Sequence, residues 1–274
     1  MKKGINIGSF AGQDLEQNFG LAREAGFDGI ELDLKDRGII SLESTRDMVL
    51  SVREMAKRHD LELYSLSSGL YWANSLTSDE IEVRTKAEEI VKKQLETAAL
   101  LGCDTILIIP GKVAGYGDDS VVPYDIVYER ALDALSRLAF HAEKYGVEIG
   151  MENVWNKFLL SPLEMRDFID KINHPLVKVY FDAGNALRDG YPEQWVRILG
   201  NRIAKVHVKD YKRSVGTDAG FCDLLSGDVD FPAVVAALKE TGYNDWVTAE
   251  LFTYRHYSDI MIYNTALAME KMLR

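Results

Sequence analysis

Short, almost wholly apolar runs alternate along this chain with longer stretches in which apolar residues recur every three or four positions. The first pattern is that of a strand buried on both faces, and the second is that of an amphipathic helix. Strands are predicted at Gly4 to Phe10, Gly29 to Leu34, Leu61 to Ser67, Thr105 to Ile109, Val147 into Glu152, Val177 into Asp182, Ile203 into His207, and Trp246 to Leu251. Helices are predicted at Leu15 to Ala25, Leu42 to His59, Ser78 to Leu101, Pro123 to Tyr145, Pro192 to Leu199, Asp230 to Glu240 and Tyr257 to Leu273. One more opens at Ser161-Pro162-Leu163-Glu164, with Ser161 as N-cap, Pro162 in the first position and Glu164 reaching back. Gly26 and Gly102 stand just past helix ends, where glycine terminates them. Lys112 to Val122 and Tyr211 to Val229 read as loops.

Eight strands alternating with helices imply a parallel sheet joined by crossover helices. The 274 residues are near the roughly 250 of a barrel with short insertions. No change of composition divides the chain. The expectation is an α/β fold, a single (β/α)8 TIM barrel over residues 1–274. The competing fold, an open doubly wound sheet, calls for a glycine-rich phosphate turn after its first strand. Here that turn is Ser9-Phe10-Ala11-Gly12-Gln13, without the GxGxxG spacing.

Composition narrows the function classes. Apolar residues make up 47% and charged residues 27%, as in soluble globular proteins. A formal charge of −11 opposes a nucleic-acid surface, which needs basic patches. The two cysteines, Cys103 and Cys222, form no disulfide framework, and a reducing cytoplasm is expected. No apolar run reaches the length of a signal peptide core or a membrane span, so no membrane role is expected.

The chemistry lies where four of the strands end. Val147-Glu148-Ile149-Gly150-Met151-Glu152 closes on a carboxylate. The next three strands close on Asp182, His207 and Glu250, spaced for one helix and its loops each. A single polar residue at a strand end is commonly just the chain reaching water. Four in consecutive units are a ligand set, because a barrel gathers strand ends on one rim. Three carboxylates and one imidazole suit Mn²⁺ or Mg²⁺, with Co²⁺ also accommodated, and the lack of thiolates disfavours structural zinc. One divalent ion there would polarise a hydroxy-ketone and stabilise charge on its carbonyl oxygen as the adjacent C–H is deprotonated.

The whole chain resembles the xylose-isomerase-like barrel superfamily, and within it the sugar and sugar-phosphate isomerases and epimerases related to tagatose and psicose 3-epimerases. The resemblance rests on Phe27-Asp28-Gly29-Ile30-Glu31-Leu32, Met151-Glu152-Asn153, Phe181-Asp182-Ala183-Gly184-Asn185, His207-Val208-Lys209-Asp210 and Ala249-Glu250-Leu251. It implies that Glu152, Asp182, His207 and Glu250 bind one divalent ion, Mn²⁺ being the first expectation. Glu152 and Glu250 are the implied catalytic acid and base, working through an enediolate. It also implies that Arg213 contacts substrate oxygens, and that the chain forms a dimer or tetramer. Two positions depart from the family pattern. Asn185 replaces a histidine, and Asn156-Lys157-Phe158-Leu159 replaces an Asn-Arg-x-Glu run. Both positions hold sugar oxygens in the family.

The expected partner is therefore a ketose or ketose phosphate, with epimerisation and aldose–ketose isomerisation both open. An inosose-type dehydratase of the same superfamily and a non-catalytic sugar-binding barrel are the alternatives. A DNA-repair endonuclease of the superfamily would need many histidines, and this chain has five with one at a strand end. Lys209, Lys212 and Arg213 follow the seventh strand, either as a phosphate contact or as a solvated basic loop. Asn185, Lys209, Arg213, Glu31 and Trp72 are the candidate substrate contacts. Glu31 ends the second strand and either reaches the rim, orients a neighbour or is plainly buried. Trp72 covers a sugar face or packs in the core.

Overall fold

The computed structural model describes residues 1–12, 14–115 and 120–274. Gln13 of the turn after the first strand and residues 116–119 of the predicted Lys112–Val122 loop lie outside the described residues. Eight parallel strands close into a barrel: β1 (Lys2–Asn6), β2 (Gly29–Asp33), β3 (Glu62–Ser67), β4 (Thr105–Ile108), β5 (Glu148–Glu152), β6 (Val177–Asp182), β7 (Ile203–Val208) and β10 (Trp246–Ala249). β10 pairs with both β7 and β1 and shuts the ring. Beyond β7, a two-stranded antiparallel hairpin, β8 (Asp210–Tyr211) and β9 (Phe221–Cys222), forms part of the predicted Tyr211–Val229 loop.

The helices are α1 (Leu15–Ala25), α2 (Arg46–Arg58), α3 (Ile81–Leu101), α4 (Tyr124–Tyr145), α5 (Pro162–Ile172), α6 (Ala183–Leu187), α7 (Pro192–Leu199), α8 (Phe231–Glu240) and α9 (Ser258–Leu273). The eight-stranded barrel expected from the pattern is the fold observed. Element ends differ where a side chain intercepts the backbone. The first strand stops at Asn6 because its Oδ1 accepts from Gly8 N at 2.7 Å and starts a 3-10 turn. The second helix begins at Arg46, capped by Thr45 Oγ1. Ser161 caps α5 as expected, but Glu164 accepts from Leu160 N, one residue before the cap. The short helix α6 was not foreseen.

Side chains alternate across each strand, and this divides the barrel into two regions. Outward-facing Ile30, Ile106, Ile149, Val179, Val206 and Val247 form the apolar core with the helices. Most inward-facing residues are polar, aromatic or glycine. Lys205 is 1% exposed, yet its ammonium pairs with Asp104 at 2.9 Å and Asp245 at 2.8 Å at the N-terminal end of the barrel. Above it Tyr64 and Trp246 stack, their centroids 3.9 Å apart and planes 8° from parallel.

Glycines make room for these rings. A Cβ on Gly29 would lie 2.4 Å from the Glu62 carbonyl oxygen and 2.7 Å from Trp246 Cη2. Backbone and a stacked ring cannot both give way, so Gly29→Ala is expected to destabilise the fold by about 1–3 kcal/mol. Urea denaturation is the check, and an unchanged midpoint would show that the ring stack yields.

Candidate metal centre

The period of two that faces Lys205 inward does the same for His207 and Lys209 on the same strand line. On β6 it faces Tyr180 and Asp182 inward. Asp182 and His207 are register partners across β6 and β7. Around the ring β5, β6, β7 and β10 are consecutive neighbours. Glu152, Asp182 and His207 therefore lie side by side, with Glu250, the residue after β10, closing the set. One ligand-type atom from each of the four lies within 4.8 Å of the others. Asp182 and His207 are fully buried, and the Glu250 side chain is about a third exposed.

Each side chain is held from behind. Asp182 caps α6, its Oδ1 accepting from Asn185 N at 2.6 Å, and its backbone is clasped by Asn153 through both amide atoms. Gly184 lets this turn approach β7, since a Cβ there would sit 2.7 Å from Lys209 Cβ. Asn185 Nδ2 donates to Glu152 Oε1 at 3.2 Å. Leu251 N donates to Ser9 Oγ, tying the segment beside Glu250 to the turn after β1.

Glu31 lies beneath His207, not on the rim. Its carboxylate is fully buried, and Oε1 meets His207 Nε2 at 2.8 Å. It also accepts from Asn6 Nδ2 at 2.7 Å, Ser65 Oγ at 2.8 Å and the Tyr180 hydroxyl. Burial pushes this carboxyl up, but the imidazole, the Tyr180 hydroxyl and the Asn6 amide outweigh it, and its pKa lies below the usual carboxylate value. Glu31, expected as a substrate contact or as a residue orienting a neighbour, thus has its carboxylate engaged by His207 and three other side chains. With Nε2 engaged, Nδ1 faces the cluster.

Lys209 is likewise not a free loop cation. Its Nζ lies 2.5 Å from Glu250 Oε2, 3.3 Å from Asp182 Oδ2 and 3.9 Å from Glu152 Oε1. Burial works against its charge, but the three carboxylates hold its pKa well above the ordinary lysine value. Burial also pushes Glu152 and Asp182 up. Burial acts on Glu250 in the same direction, but Lys209 and His207 carry it below the usual range.

These residues fit a divalent cation. Asp182 Oδ2, His207 Nδ1 and Glu250 Oε2 are buried atoms without a hydrogen bond of good geometry, close as the charged contacts are. All are ligand types. Ligands about 2.1 Å from an octahedral ion stand up to ~4.2 Å apart, and His207 Nδ1 lies within that limit of Asp182 Oδ2 at 3.9 Å and of Glu250 Oε2 at 3.1 Å.

The other sequence candidates lie further out. Asn185 joins the cluster through Glu152. Arg213 is anchored elsewhere, its Nη2 donating to the Gly190 carbonyl at 2.8 Å and its guanidinium lying 4.8 Å from the Tyr191 ring centroid. Trp72 ends a 3-10 turn after β3, is 38% exposed, and accepts from Lys112 Nζ through its carbonyl. Leu159, in place of the family glutamate, is buried, and its neighbour Phe158 packs edge-on against Tyr124, Tyr128 and Phe168.

Sequence reasoning did not find Asn6, Ser65 and Tyr180, which support Glu31. It gave no role to Asn153, although that residue follows Glu152 directly. It also passed over Asp33, whose carboxyl at the end of β2 is pushed up to about 6, chiefly by burial.

The xylose isomerase-like TIM barrel family matches residues 19–272, and the chain belongs to that family. It is 27% identical to the L-ribulose 3-epimerase of Methylomonas sp. (strain DH-1) over 85% of this chain and 76% of that one. It is 26% identical to the L-ribulose-5-phosphate 3-epimerase UlaE of Salmonella heidelberg (strain SL476), over 85% of this chain and 80% of that one. Among solved structures, IOLI protein with a bound zinc atom superposes with a TM-score of 0.82 at 18% identity, covering 100% of this chain and 98% of that one. Relatives so named place the chain among enzymes of the sugar isomerase and epimerase class.

Two substitutions test the site's supports. Glu31→Gln retains the shape but puts an amide against the donors around Glu31, so Mn²⁺ affinity by calorimetry is expected to fall about 10–100-fold. Unchanged affinity would remove the orienting role. For Asp33, a folded pKa raised from 3.8 to about 6 means the folded state binds the proton more tightly. The stability this contributes is fully present below pH ~4 and lost as pH rises through about 6. Asp33→Asn should therefore gain on the wild type by at most about 3 kcal/mol between pH 4 and pH 7. Urea titrations at the two pH values give the comparison, and a gap independent of pH would contradict it.

Proposed function

We propose that the protein is a divalent-metal-dependent isomerase or epimerase of a ketose or ketose phosphate, with Glu152 and Glu250 as its acid–base pair. The observation that carries this reading is the placement of the two glutamates. They stand at opposite ends of four adjacent strand termini, with Asp182 and His207 between them. Two carboxylates facing one another across a shared ligand set are what proton removal and return at a substrate carbon require.

A divalent ion at the centre, Mn²⁺ in our assignment for a set of three oxygens and one nitrogen, supplies polarisation of the carbonyl and so acidifies the neighbouring C–H. The chain's own residues do the rest. One glutamate takes the proton from the carbon beside the carbonyl, leaving an enediolate. In an epimerase the other returns a proton to the opposite face of that carbon; in an isomerase a proton goes to the adjacent carbon. Asn185 holds Glu152 from the side. Glu31 fixes the His207 ring, so a small displacement of substrate does not rotate the ligand. Lys209 lies against Glu250 and lines a cavity of about 260 Å³ with Phe221, Leu251 and Tyr254, where it meets substrate oxygens. We place the enzyme in the cytoplasm on its cysteine usage. Among the described residues, no helix is long and apolar enough to cross a membrane.

A panel of ketoses and ketose phosphates incubated with Mn²⁺ in D₂O, read by NMR, tests the proposal directly. Deuterium is expected at the carbon next to the carbonyl. Glu152→Gln and Glu250→Gln are each expected to lower turnover by about 10²–10⁴-fold, with metal content verified. The variant lacking only the protonating group still exchanges that C–H without forming product. Near-normal turnover by either variant rejects the two-glutamate mechanism.

A further inference from the structure

A second and larger cavity, about 730 Å³, borders the centre. Asn153 and Asn185 line it, and these are the side chains that hold Asp182 and Glu152. The cavity thus begins at the ligand set. One wall is Trp155, whose Nε1 donates to the Asn185 carbonyl at 3.1 Å. Its ring stacks on Phe221 at 4.9 Å, and Phe221 in turn lines the smaller cavity beside Glu250.

Two cations on this cavity take no part in the proposed proton transfer. The Arg188 guanidinium lies 4.7 Å from the Trp155 ring centroid. Its one ion contact among the described residues is Asp189 at 3.6 Å, a carboxylate 73% exposed to solvent, and that distance is too long for a hydrogen bond. The guanidinium fork is therefore oriented but uncommitted. Lys157 has a left-handed backbone, φ 58, on a loop pinned on either side of it. Asn156 Nδ2 donates to the Gly111 carbonyl, Phe158 N donates to Asn156 Oδ1, Leu159 N donates to the Tyr124 hydroxyl and Leu160 N donates to Glu164 Oε2. The same pinned loop leaves Lys157 exposed on the cavity.

We propose that this cavity is an anion subsite that takes the phosphate monoester at the far end of the substrate's carbon chain. Arg188 supplies a planar bidentate fork and Lys157 a point charge. The proposal rests on reading the centre as a ketose isomerase or epimerase. It moves the phosphate contact from Lys209, Lys212 and Arg213, after β7, to the loops after β5 and β6. That shift agrees with the anchoring of Arg213 to Gly190 and Tyr191.

Inorganic phosphate titrated into the Mn²⁺-loaded protein is the primary probe, with binding read by calorimetry for wild type, Arg188→Met, Lys157→Met and Arg213→Met. Loss of a charge-assisted bidentate contact is expected to weaken binding about tenfold or more in Arg188→Met, with a smaller loss in Lys157→Met and none in Arg213→Met. Equal affinity in wild type and Arg188→Met overturns the subsite, as does a loss confined to Arg213→Met or no binding by the wild type. Acetate titrated in parallel separates phosphate from carboxylate recognition, and acetate binding as tight as phosphate binding overturns the phosphate assignment. In the D₂O assay, Arg188→Met should lose kcat/KM on ketose phosphates by a similar factor and keep it on free ketoses. If no ketose turns over but phosphate binding still depends on Arg188, the isomerase reading falls and the subsite stands. If ketoses turn over while Arg188→Met binds phosphate as the wild type does, the subsite falls alone.

Discussion

Carboxylates inside a barrel are costly to leave charged, and this barrel contains four of them close together. Glu31, Glu152, Asp182 and Glu250 share the rim-side half of the interior with one imidazole and one ammonium. Removing such groups from water costs several kcal/mol per ion unless hydrogen bonds and opposite charge compensate. Much of the local structure meets that requirement. Glu31 is surrounded by four donors. His207 bridges Glu31 to the other three carboxylates, and Lys209 lies among those three. The neutral amides of Asn153 and Asn185 fix geometry without adding charge.

The same requirement explains the composition of the recurring motifs. In His207-Val208-Lys209-Asp210, the histidine and lysine belong to the centre, whereas Asp210 does not. Its buried carboxylate accepts from Tyr211 N, Gly227 N and Val229 N and so folds the long loop back over β7. In Phe27-Asp28-Gly29-Ile30-Glu31, Phe27 and Ile30 pack outward, Gly29 admits the Trp246 ring and Glu31 supports His207. Chemistry and scaffolding thus occupy alternate residues of one strand, because successive side chains point to opposite faces.

The fold was legible because parallel strands buried on both faces are nearly continuous apolar runs, and glycine marks the helix ends at Gly26 and Gly102. Glu152, Asp182, His207 and Glu250 were legible because each interrupts such a run at its end. Glu31 was visible as a residue but not in its role, since a carboxylate at a strand end reads the same whether it faces the rim or a histidine across the barrel interior. Tyr180 and Ser65 were hidden for a related reason. Tyrosine and serine within a strand read as ordinary packing, and only closure of the ring brings β2, β3, β6 and β7 to one point. Lys209 was legible as a candidate but not in its ion pairs, because a lysine after a strand resembles a surface cation; its inward direction follows from counting in twos from Lys205 and His207. α6 was missed because five residues carry too little periodicity, and its N-cap, Asp182, is itself a member of the carboxylate cluster.

The far end of the barrel bears on the fate of hydrogen isotopes. Lys205, its two aspartates and the stacked Tyr64–Trp246 pair fill the N-terminal end, and Thr248 accepts or donates with the Tyr64 hydroxyl just above. A barrel plugged at its base communicates with bulk water only through its rim. In the proton transfer proposed above, a hydrogen lifted from carbon has few routes of escape once a substrate covers that rim. The balance between internal return of the label and its washout then reports how long the rim stays covered, so the plug turns isotope retention into a clock for substrate residence.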